Sequence, residues 1–254
     1  MTERPPLDAV IFDAGGTLVR LDFEWMSAWL THEGVPVSTR VIRDAEVDGR
    51  RRYDESAKAP RAEENGIPPM GSAGDTRAYL GGTLDAAGVP AALRDRAIDA
   101  FLVRHRDEGL WSRPVEGARA VLDALGATGV RLACVSNSDG RAEQHLESCG
   151  MRQGLEFVVD SQIVGFEKPD PRIFRVALDR MGVAPERAIY VGDIRCVDEV
   201  GARAAGMHFV LIDPRGDYGP AGGRAVREIA DLPALLESDF TLHAGMPRSA
   251  AERR

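Results

Sequence analysis

Short apolar runs alternate with helical patterns along most of the chain. The apolar runs predict strands at residues 7–12, 132–135, 157–159, 188–191 and 208–212. Between the later runs, apolar residues recur at the three-to-four spacing of amphipathic helices. Strands separated by helices of this length predict a parallel, doubly wound sheet, so the expected fold class is α/β.

One long segment breaks this alternation. From Asp22 to Arg106 the chain shows helical signals and no convincing strand, with Leu93, Ala97 and Phe101 at helical spacing. Residues 58–75 are rich in Pro, Gly and Ala and predict a loop between helices. We therefore expect an all-helical insertion after the first strand, placed like a lid.

Polar residues follow the predicted strands. In a parallel sheet the loops at the carboxyl ends of the strands gather in one crevice, where ligands bind. Topology alone is therefore expected to bring these residues to one site. They are Asp13, Ser136, Asn137, Lys168, Asp193 and Asp198.

The residue types at this crevice indicate phosphoryl chemistry. Three carboxylates would repel each other in a cleft unless a hard cation joined them, and Mg²⁺ prefers carboxylates, waters and phosphate oxygens. Lys168 adds a positive charge, and Ser136 and Asn137 offer donors at a predicted helix start, which suits an anion. Gly15 and Gly16 let backbone amides approach a phosphate closely. A carboxylate beside the metal can attack phosphorus and form an aspartyl-phosphate.

The composition of the chain limits its expected partners and cellular location. The net charge of −8 argues against a general affinity for nucleic acid. No apolar run approaches the roughly 20 residues of a membrane-spanning helix, and residues 1–6 have no signal-peptide core. The three cysteines show no metal-binding spacing and fit a reducing cytoplasm. Oligomeric state is left open.

Four stretches together resemble the haloacid dehalogenase superfamily: VIFDAGGTLV (10–19), CVSNS (134–138), GFEKPDPRIF (165–174) and YVGDIRCVDEVGARAAGM (190–207). The resemblance implies a Rossmann-like core over residues 1–20 and 110–240, and a helical cap over 21–109. We expect a flexible tail over 241–254. The expected activity is that of a Mg²⁺-dependent phosphatase of small phosphorylated metabolites.

Site roles carried over from this resemblance are expectations for single residues. Asp13 is the expected nucleophile, Lys168 pairs with it, Ser136 binds the transferring phosphoryl group, Asp193 binds Mg²⁺, and Asp198 supports the ion directly or through water. The expected substrate-binding set is Ala14, Gly15, Thr17, Ser136 and Asn137, with Thr17 also ordering the first loop. The expected metal set is Asp13, Gly15 through its carbonyl, Asp193 and Asp198.

The chain departs from the family pattern at the position of the general acid. Phosphatases of this family usually carry a second aspartate two residues after the nucleophile, where this chain has Gly15. General acid–base catalysis is worth roughly 10²–10⁴ in rate, so we expect slow turnover of ordinary esters. His32 or His105 from the cap are candidate substitutes. Reinstating the acid with Gly15→Asp is expected to raise activity.

Other interpretations stay open. One alternative is a 2-haloacid dehalogenase, which needs no acid at position 15. Another is a catalytically idle ligand-binding protein. A receiver domain would also bring aspartates, a serine and a lysine together. Lys58 would suit a Schiff-base mechanism, although a solvated loop lysine is favoured. The run Arg50-Arg51-Arg52 is interpreted as a solvated helix face rather than a phosphate clamp.

Overall fold

The computed structural model describes residues 4–57, 75–218 and 223–243. Its strands are β1 (Pro6–Leu7), β2 (Ala9–Phe12), β3 (Val19–Leu21), β4 (Trp111–Pro114), β5 (Arg131–Ser136), β6 (Val158–Asp160), β7 (Ala188–Gly192), β8 (His208–Ile212), β9 (Arg224–Val226) and β10 (Thr241–Leu242). Its α-helices are α1 (Phe23–His32), α2 (Thr39–Ala57), α3 (Thr76–Ala86), α4 (Ala91–Glu108), α5 (Ala118–Ala127), α6 (Ala142–Ser148), α7 (Ser161–Val164), α8 (Pro171–Met181), α9 (Val200–Ala204) and α10 (Leu232–Asp239).

The central sheet is parallel, as the alternation predicts. Six strands lie in the order β6-β5-β2-β7-β8-β9, and each neighbouring pair is parallel. The strand β2 lies between β5 and β7, where the strand order changes direction. The α/β fold class is confirmed, with the ligand-binding crevice expected at this switch point.

Apolar residues cover both faces of the sheet. Along β2, Val10 and Phe12 join the core on one side, while Ala9 and Ile11 join the core on the other. This alternation follows from the two-residue period of a strand. The helix α8 begins after Asp170, whose side chain accepts the N–H of Arg172, as its sequence predicts. The central strands are therefore held on both sides.

The helical segment, defined as α1 to α4, has its own apolar core. Leu30, Ile42, Leu80 and Phe101 are among its buried residues. It is inserted between β3 and β4, which form an antiparallel pair, and this matches the expected helical insertion. Within the described residues, no helix combines the length and apolar character needed to cross a membrane.

Several short elements were not predicted. They are the β3–β4 pair, the edge strand β9, and β10, which pairs with β1. Because Thr241 and Leu242 are hydrogen-bonded to the core, the expectation of a flexible tail starting at residue 241 is wrong for these residues. Residues 244–254 lie outside the described part of the chain.

A π-helical turn, Arg195–Glu199, precedes α9. The helical spacing of Val197, Val200, Ala204 and Ala205 predicts that they share one buried face. Val197 and Ala205 are buried, but Val200 is 55% exposed and Ala204 is also exposed. A π turn inserts one extra residue into the helical repeat. The residues after it are consequently rotated, and Gly201 and Ala202 take the buried side instead.

Candidate active site

A cavity of about 200 Å³ lies at the carboxyl ends of the central strands, under the helical segment. The structure brings most of the predicted site residues to this cavity, while Asp198 and Thr17 lie behind its wall. The predicted residues that line it are Asp13, Ala14, Gly15, Ser136, Asn137, Lys168 and Asp193.

Lys168 joins two carboxylates at the floor of the cavity. Its Nζ donates to Asp13 Oδ1 at 2.7 Å and to Asp198 Oδ1 at 2.7 Å. It also donates to the hydroxyl of Tyr190 at 3.0 Å, and that hydroxyl donates to the carbonyl of Val135. The ammonium is thus fixed by three oxygen acceptors next to the predicted nucleophile.

Burial controls the protonation of this cluster. Burial raises the pKa of Asp13 to about 6, although the charge of Lys168 opposes the shift. For Lys168, burial alone would lower the pKa, but the carboxylates of Asp13 and Asp198 raise it well above its ordinary value. Lys168 is therefore a permanent cation, and Asp13 titrates near the physiological range.

Asp198 is fully buried behind Lys168. Its Oδ2 accepts the backbone N–H groups of Asp193 and Ile194 at 3.0 and 2.9 Å. With Oδ1 on Lys168, both oxygens already have protein donors. These contacts support a positioning role, in which Asp198 shapes the loop that carries Asp193 and holds the lysine.

Asp193 contacts an arginine from the helical segment. Arg50 Nε lies 3.2 Å from Asp193 Oδ2, and both side chains are almost fully buried. Arg50 also contacts Glu46 Oε2 at 3.3 Å, and the Tyr79 hydroxyl donates to Glu46 Oε1 at 2.5 Å. Burial raises the pKa of Asp193 well above its ordinary value, while the guanidinium of Arg50 opposes that rise.

The interpretation of Arg50-Arg51-Arg52 as a solvated face is wrong for Arg50. Successive helix residues point about 100° apart, so three neighbours cannot share one environment. Arg51 and Arg52 are partly exposed and pair with Asp217 and Asp85. Arg50 points between the helical segment and the sheet.

The carboxylate oxygens at this site suit a divalent cation as ligands. Carboxylate oxygens of Asp13, Asp193 and Asp198 lie within 4.8 Å of one another. Asp193 Oδ1 is buried and has no hydrogen-bond partner among the described residues. A buried carboxylate oxygen without a donor is costly unless an ion or water meets it. Three carboxylates face the two cations Lys168 and Arg50, which leaves negative charge for a metal to balance.

Asn137 and Ser136 line the cavity as expected, but they do not stand at a helix start. The Asn137 side chain donates to the backbone carbonyl of Lys168 at 3.0 Å and accepts its N–H at 2.7 Å, so it fixes the lysine backbone. The expected helix start at these residues is wrong, since α6 begins only at Ala142. The side chain of Asp160 accepts the backbone N–H groups of Ala142 and Gly140. Ser136 stays the hydroxyl at the cavity wall.

The first loop packs tightly against Asp193. Gly16 has φ +78°, and a Cβ there would lie 2.1 Å from Asp193 Oδ2. Thr17 is fully buried, does not line the cavity, and its hydroxyl has no partner among the described residues. Its predicted contact with substrate is not supported by this position, whereas a role in ordering the loop stays a prediction. The metal role of the Gly15 carbonyl likewise stays a prediction.

The cavity wall on the side of the helical segment is aromatic. It is formed by Tyr53, Tyr79, His105 and Trp111, with Thr76 beside them. Of the proposed acid substitutes, His105 lines the cavity and His32 is exposed on α1. Lys58 lies outside the described residues. Tyr53, Tyr79 and Trp111 were not predicted, because these residues carry no motif, and the burial of Arg50 within its arginine run was not predicted either.

Comparisons with known proteins indicate a family of hydrolases. Residues 7–206 match the family described as haloacid dehalogenase-like hydrolase. The chain is 40% identical over 130 residues to the mouse haloacid dehalogenase-like hydrolase domain-containing protein 3, covering 51% of this chain and 52% of that protein. It is 36% identical over 131 residues to the glyceraldehyde 3-phosphate phosphatase of Methanothermobacter thermautotrophicus, covering 49% of this chain and 58% of that protein.

A solved dehalogenase with an intermediate complex shares the fold. Its TM-score is 0.58 at 22% sequence identity, and the match covers 91% of this chain and 97% of the other. At this identity the likeness concerns the fold alone. The chain spans about half the length of the curated relatives it matches.

Proposed function

Because the chain belongs to the haloacid dehalogenase-like hydrolases, we propose that it is a Mg²⁺-dependent phosphatase of small phosphorylated metabolites with Asp13 as nucleophile. The observation that carries this proposal is the buried Asp13–Lys168–Asp198 cluster beside Asp193. A phosphatase relative supports the substrate class. The proposed location is the cytoplasm, which the small number and irregular spacing of the cysteines in the sequence support.

The proposed domain division follows the same arrangement. Residues 1–20 and 110–240 form the core, and residues 21–109 form a cap that covers the cavity. The position of Tyr53, Tyr79 and His105 in the cavity wall supports this division. A cap in this position would exclude water and select the substrate.

The proposed reaction has two steps. A carboxylate oxygen of Asp13 forms a bond to phosphorus while the bond from phosphorus to the leaving oxygen breaks, and the leaving oxygen departs with that electron pair. Water then forms a new bond to phosphorus and gives up a proton to solvent, the aspartyl oxygen leaves with the electron pair of its bond as a carboxylate, and inorganic phosphate is released. Lys168 holds the attacking carboxylate and stabilises negative charge on the phosphoryl oxygens, and Ser136 binds one of them.

Asp13 and Asp193 are the residues that would hold Mg²⁺, with the Gly15 carbonyl and Asp198 as the further predicted members. When bound, the ion would supply positive charge at the phosphoryl oxygens. The unpartnered Oδ1 of Asp193 supports its place as a ligand. The second Asp193 oxygen, turned to Arg50, would keep the carboxylate in a fixed orientation.

The test is phosphate release from a panel of small phosphate esters, with and without Mg²⁺. We expect Asp13→Asn to lose turnover while its circular dichroism spectrum stays that of the parent, and EDTA to stop the parent reversibly. Asp44→Asn is the matched control, because Asp44 is an exposed carboxylate paired only at the surface. Turnover in Asp13→Asn equal to that of the parent contradicts the proposal.

A second candidate is a 2-haloacid dehalogenase. The glycine at position 15 favours it, because that reaction also starts with attack by an aspartate and needs no acid there. The carboxylates available to a cation count against it. Chloride release that is insensitive to EDTA would replace the phosphatase proposal, and tight ligand binding without turnover would favour an idle protein.

A further inference from the structure

We propose that Trp111 takes the space of the missing acid and restricts the site to phosphate monoesters with a planar, uncharged and weakly basic leaving group, of which aryl phosphates are the simplest. This inference rests on the proposed phosphatase function and names its substrate class. It follows from the side chains that line the cavity beside Gly15.

The indole of Trp111 lies against Gly15. A Cβ added to Gly15 would lie 3.2 Å from Trp111 Cδ1 and 3.4 Å from its Nε1. Gly15 does not adopt a positive φ, so its backbone conformation does not require glycine. The constraint at this position is the space, because a Cβ at these distances requires the indole to shift by a few tenths of an ångström.

Trp111 is also prevented from moving aside. It packs against the apolar core of the sheet and against that of the helical segment. Its ring lies 5.2 Å from the ring centre of His105, edge to face, and 5.8 Å from that of Tyr79. An aspartate at position 15 would therefore have to displace a ring that is held on several sides.

No strong acid replaces the lost one in the described part of the cavity. Asp13 and Asp193 are the carboxylic acids among its described lining residues, and both have the roles given above. The indole N–H of Trp111 donates hydrogen bonds but does not release its proton. His105 accepts the Leu110 N–H at Nδ1, and burial lowers the pKa of both His105 and His145, which favours their neutral rings.

The same wall is suited to a flat, uncharged group. The Tyr79 hydroxyl is held by Glu46, so Tyr79 presents its ring rather than a free hydroxyl. Tyr53, His105 and Trp111 add further ring surface, and aromatic rings pack well on one another. Among the described residues, the helical segment contributes no charged group other than histidine to the lining. A cavity of about 200 Å³ accommodates a leaving group of one small ring.

The reaction of an aryl ester balances without an acid. Asp13 forms the oxygen–phosphorus bond, the bond from phosphorus to the aryl oxygen breaks, and the aryloxide leaves with the electron pair. Because an aryloxide is a weak base, it can depart unprotonated and take its proton from solvent. An alkoxide is far more basic, so its departure needs the proton that this site lacks.

The experiment compares 4-nitrophenyl, phenyl and benzyl phosphate with the full chain and Mg²⁺. Phenyl and benzyl esters both carry a ring, but benzyl alcohol is a much weaker acid, so the pair separates ring recognition from leaving-group basicity. We expect kcat/KM for phenyl phosphate to exceed that for benzyl phosphate by about 10²–10⁴, the usual contribution of a general acid. A steep decrease of log kcat/KM with leaving-group pKa is the expected signature.

Variants test the part played by Trp111. The sequence alone predicts that Gly15→Asp raises activity, but the contact with the indole leads us to expect that this variant alone leaves benzyl phosphate hydrolysis low. Gly15→Asp combined with Trp111→Ala should raise it at least about tenfold and flatten the dependence on leaving-group pKa.

The outcomes are distinguishable. EDTA-sensitive phosphate release with equal rates for phenyl and benzyl esters overturns this inference and leaves the phosphatase proposal standing. An increase in benzyl phosphate hydrolysis with Gly15→Asp alone overturns the part assigned to Trp111. Absence of phosphate release from every ester overturns the phosphatase proposal itself. The comparison of esters needs no variant, so it decides the inference even if the double variant does not fold.

Discussion

Replacing Arg50 by methionine removes the cation that the helical segment contributes to the catalytic cluster. Methionine keeps much of the aliphatic stem and deletes the guanidinium. Asp193, 3.2 Å from the guanidinium, and Glu46, 3.3 Å from it, would then lose their charge partner in a buried setting. The variant therefore isolates the electrostatic contribution of one contact between the helical segment and the core.

The expected effect is large. Removing one partner of a buried ion pair costs about 3–5 kcal/mol, because the remaining charge stays buried without compensation. For a chain of this size each kcal/mol corresponds to roughly 2–4 °C in Tm, so Tm should fall by about 6–20 °C. The loss should shrink as the pH is lowered, because burial raises the pKa of Asp193 and protonation removes the charge that has lost its partner.

The assays are thermal and urea denaturation followed by circular dichroism at pH 7, with and without Mg²⁺. Arg51→Met is the matched control, since Arg51 is the next residue, is partly exposed and pairs with Asp217 at the surface. A pair of that kind contributes at most about 1 kcal/mol. We also expect Mg²⁺ to raise the denaturation midpoint more in Arg50→Met than in the parent, because the ion replaces positive charge near Asp193. Equal losses in Arg50→Met and Arg51→Met would refute this reasoning.

Two further predictions concern Asp13 and the first loop. At limiting Mg²⁺, the rate of phosphate release should rise with pH through about 6, because attack needs the ionised carboxylate of Asp13 and burial raises its pKa to about 6. Saturating Mg²⁺ should move this midpoint to lower pH. A rate that does not change between pH 5 and 7 at limiting Mg²⁺ would contradict the assignment. Gly16→Ala should lower the free energy of unfolding more than Gly34→Ala. Both glycines have a positive φ, so a cost of about 1–2 kcal/mol is common to both variants, but Gly16 lies against Asp193 whereas Gly34 has open space around it. Equal losses of Tm would show that the contact with Asp193 is unimportant.

The sheet and the meeting of its loops could be predicted from the sequence. Strand order in a parallel sheet brings loops from distant parts of the chain to one edge, so Asp13, Lys168 and Asp193 required only the positions of their strands. No knowledge of side-chain packing was needed. This is why the floor of the cavity could be predicted residue by residue.

The cap side could not be predicted in the same way. Arg50 lies in a run of three arginines, and only the packing of α2 against the core decides which of them is buried. Trp111 belongs to a two-strand ribbon too short to give a periodic signal. The start of α6 at Ala142 depends on Asp160, a residue distant in sequence that accepts the amides at its first turn. Each of these features depends on tertiary contacts.

The ion pair between Arg50 and Asp193 has a consequence for protein engineering. Exchange of the insertion for that of another hydrolase would leave every motif residue in place, since all of them lie outside the insertion. The recipient would nevertheless inherit an acidic centre without one of its resident counterions. A chimaera built on this core should therefore carry a guanidinium at the equivalent position of the new helix, or be purified with a divalent cation present throughout.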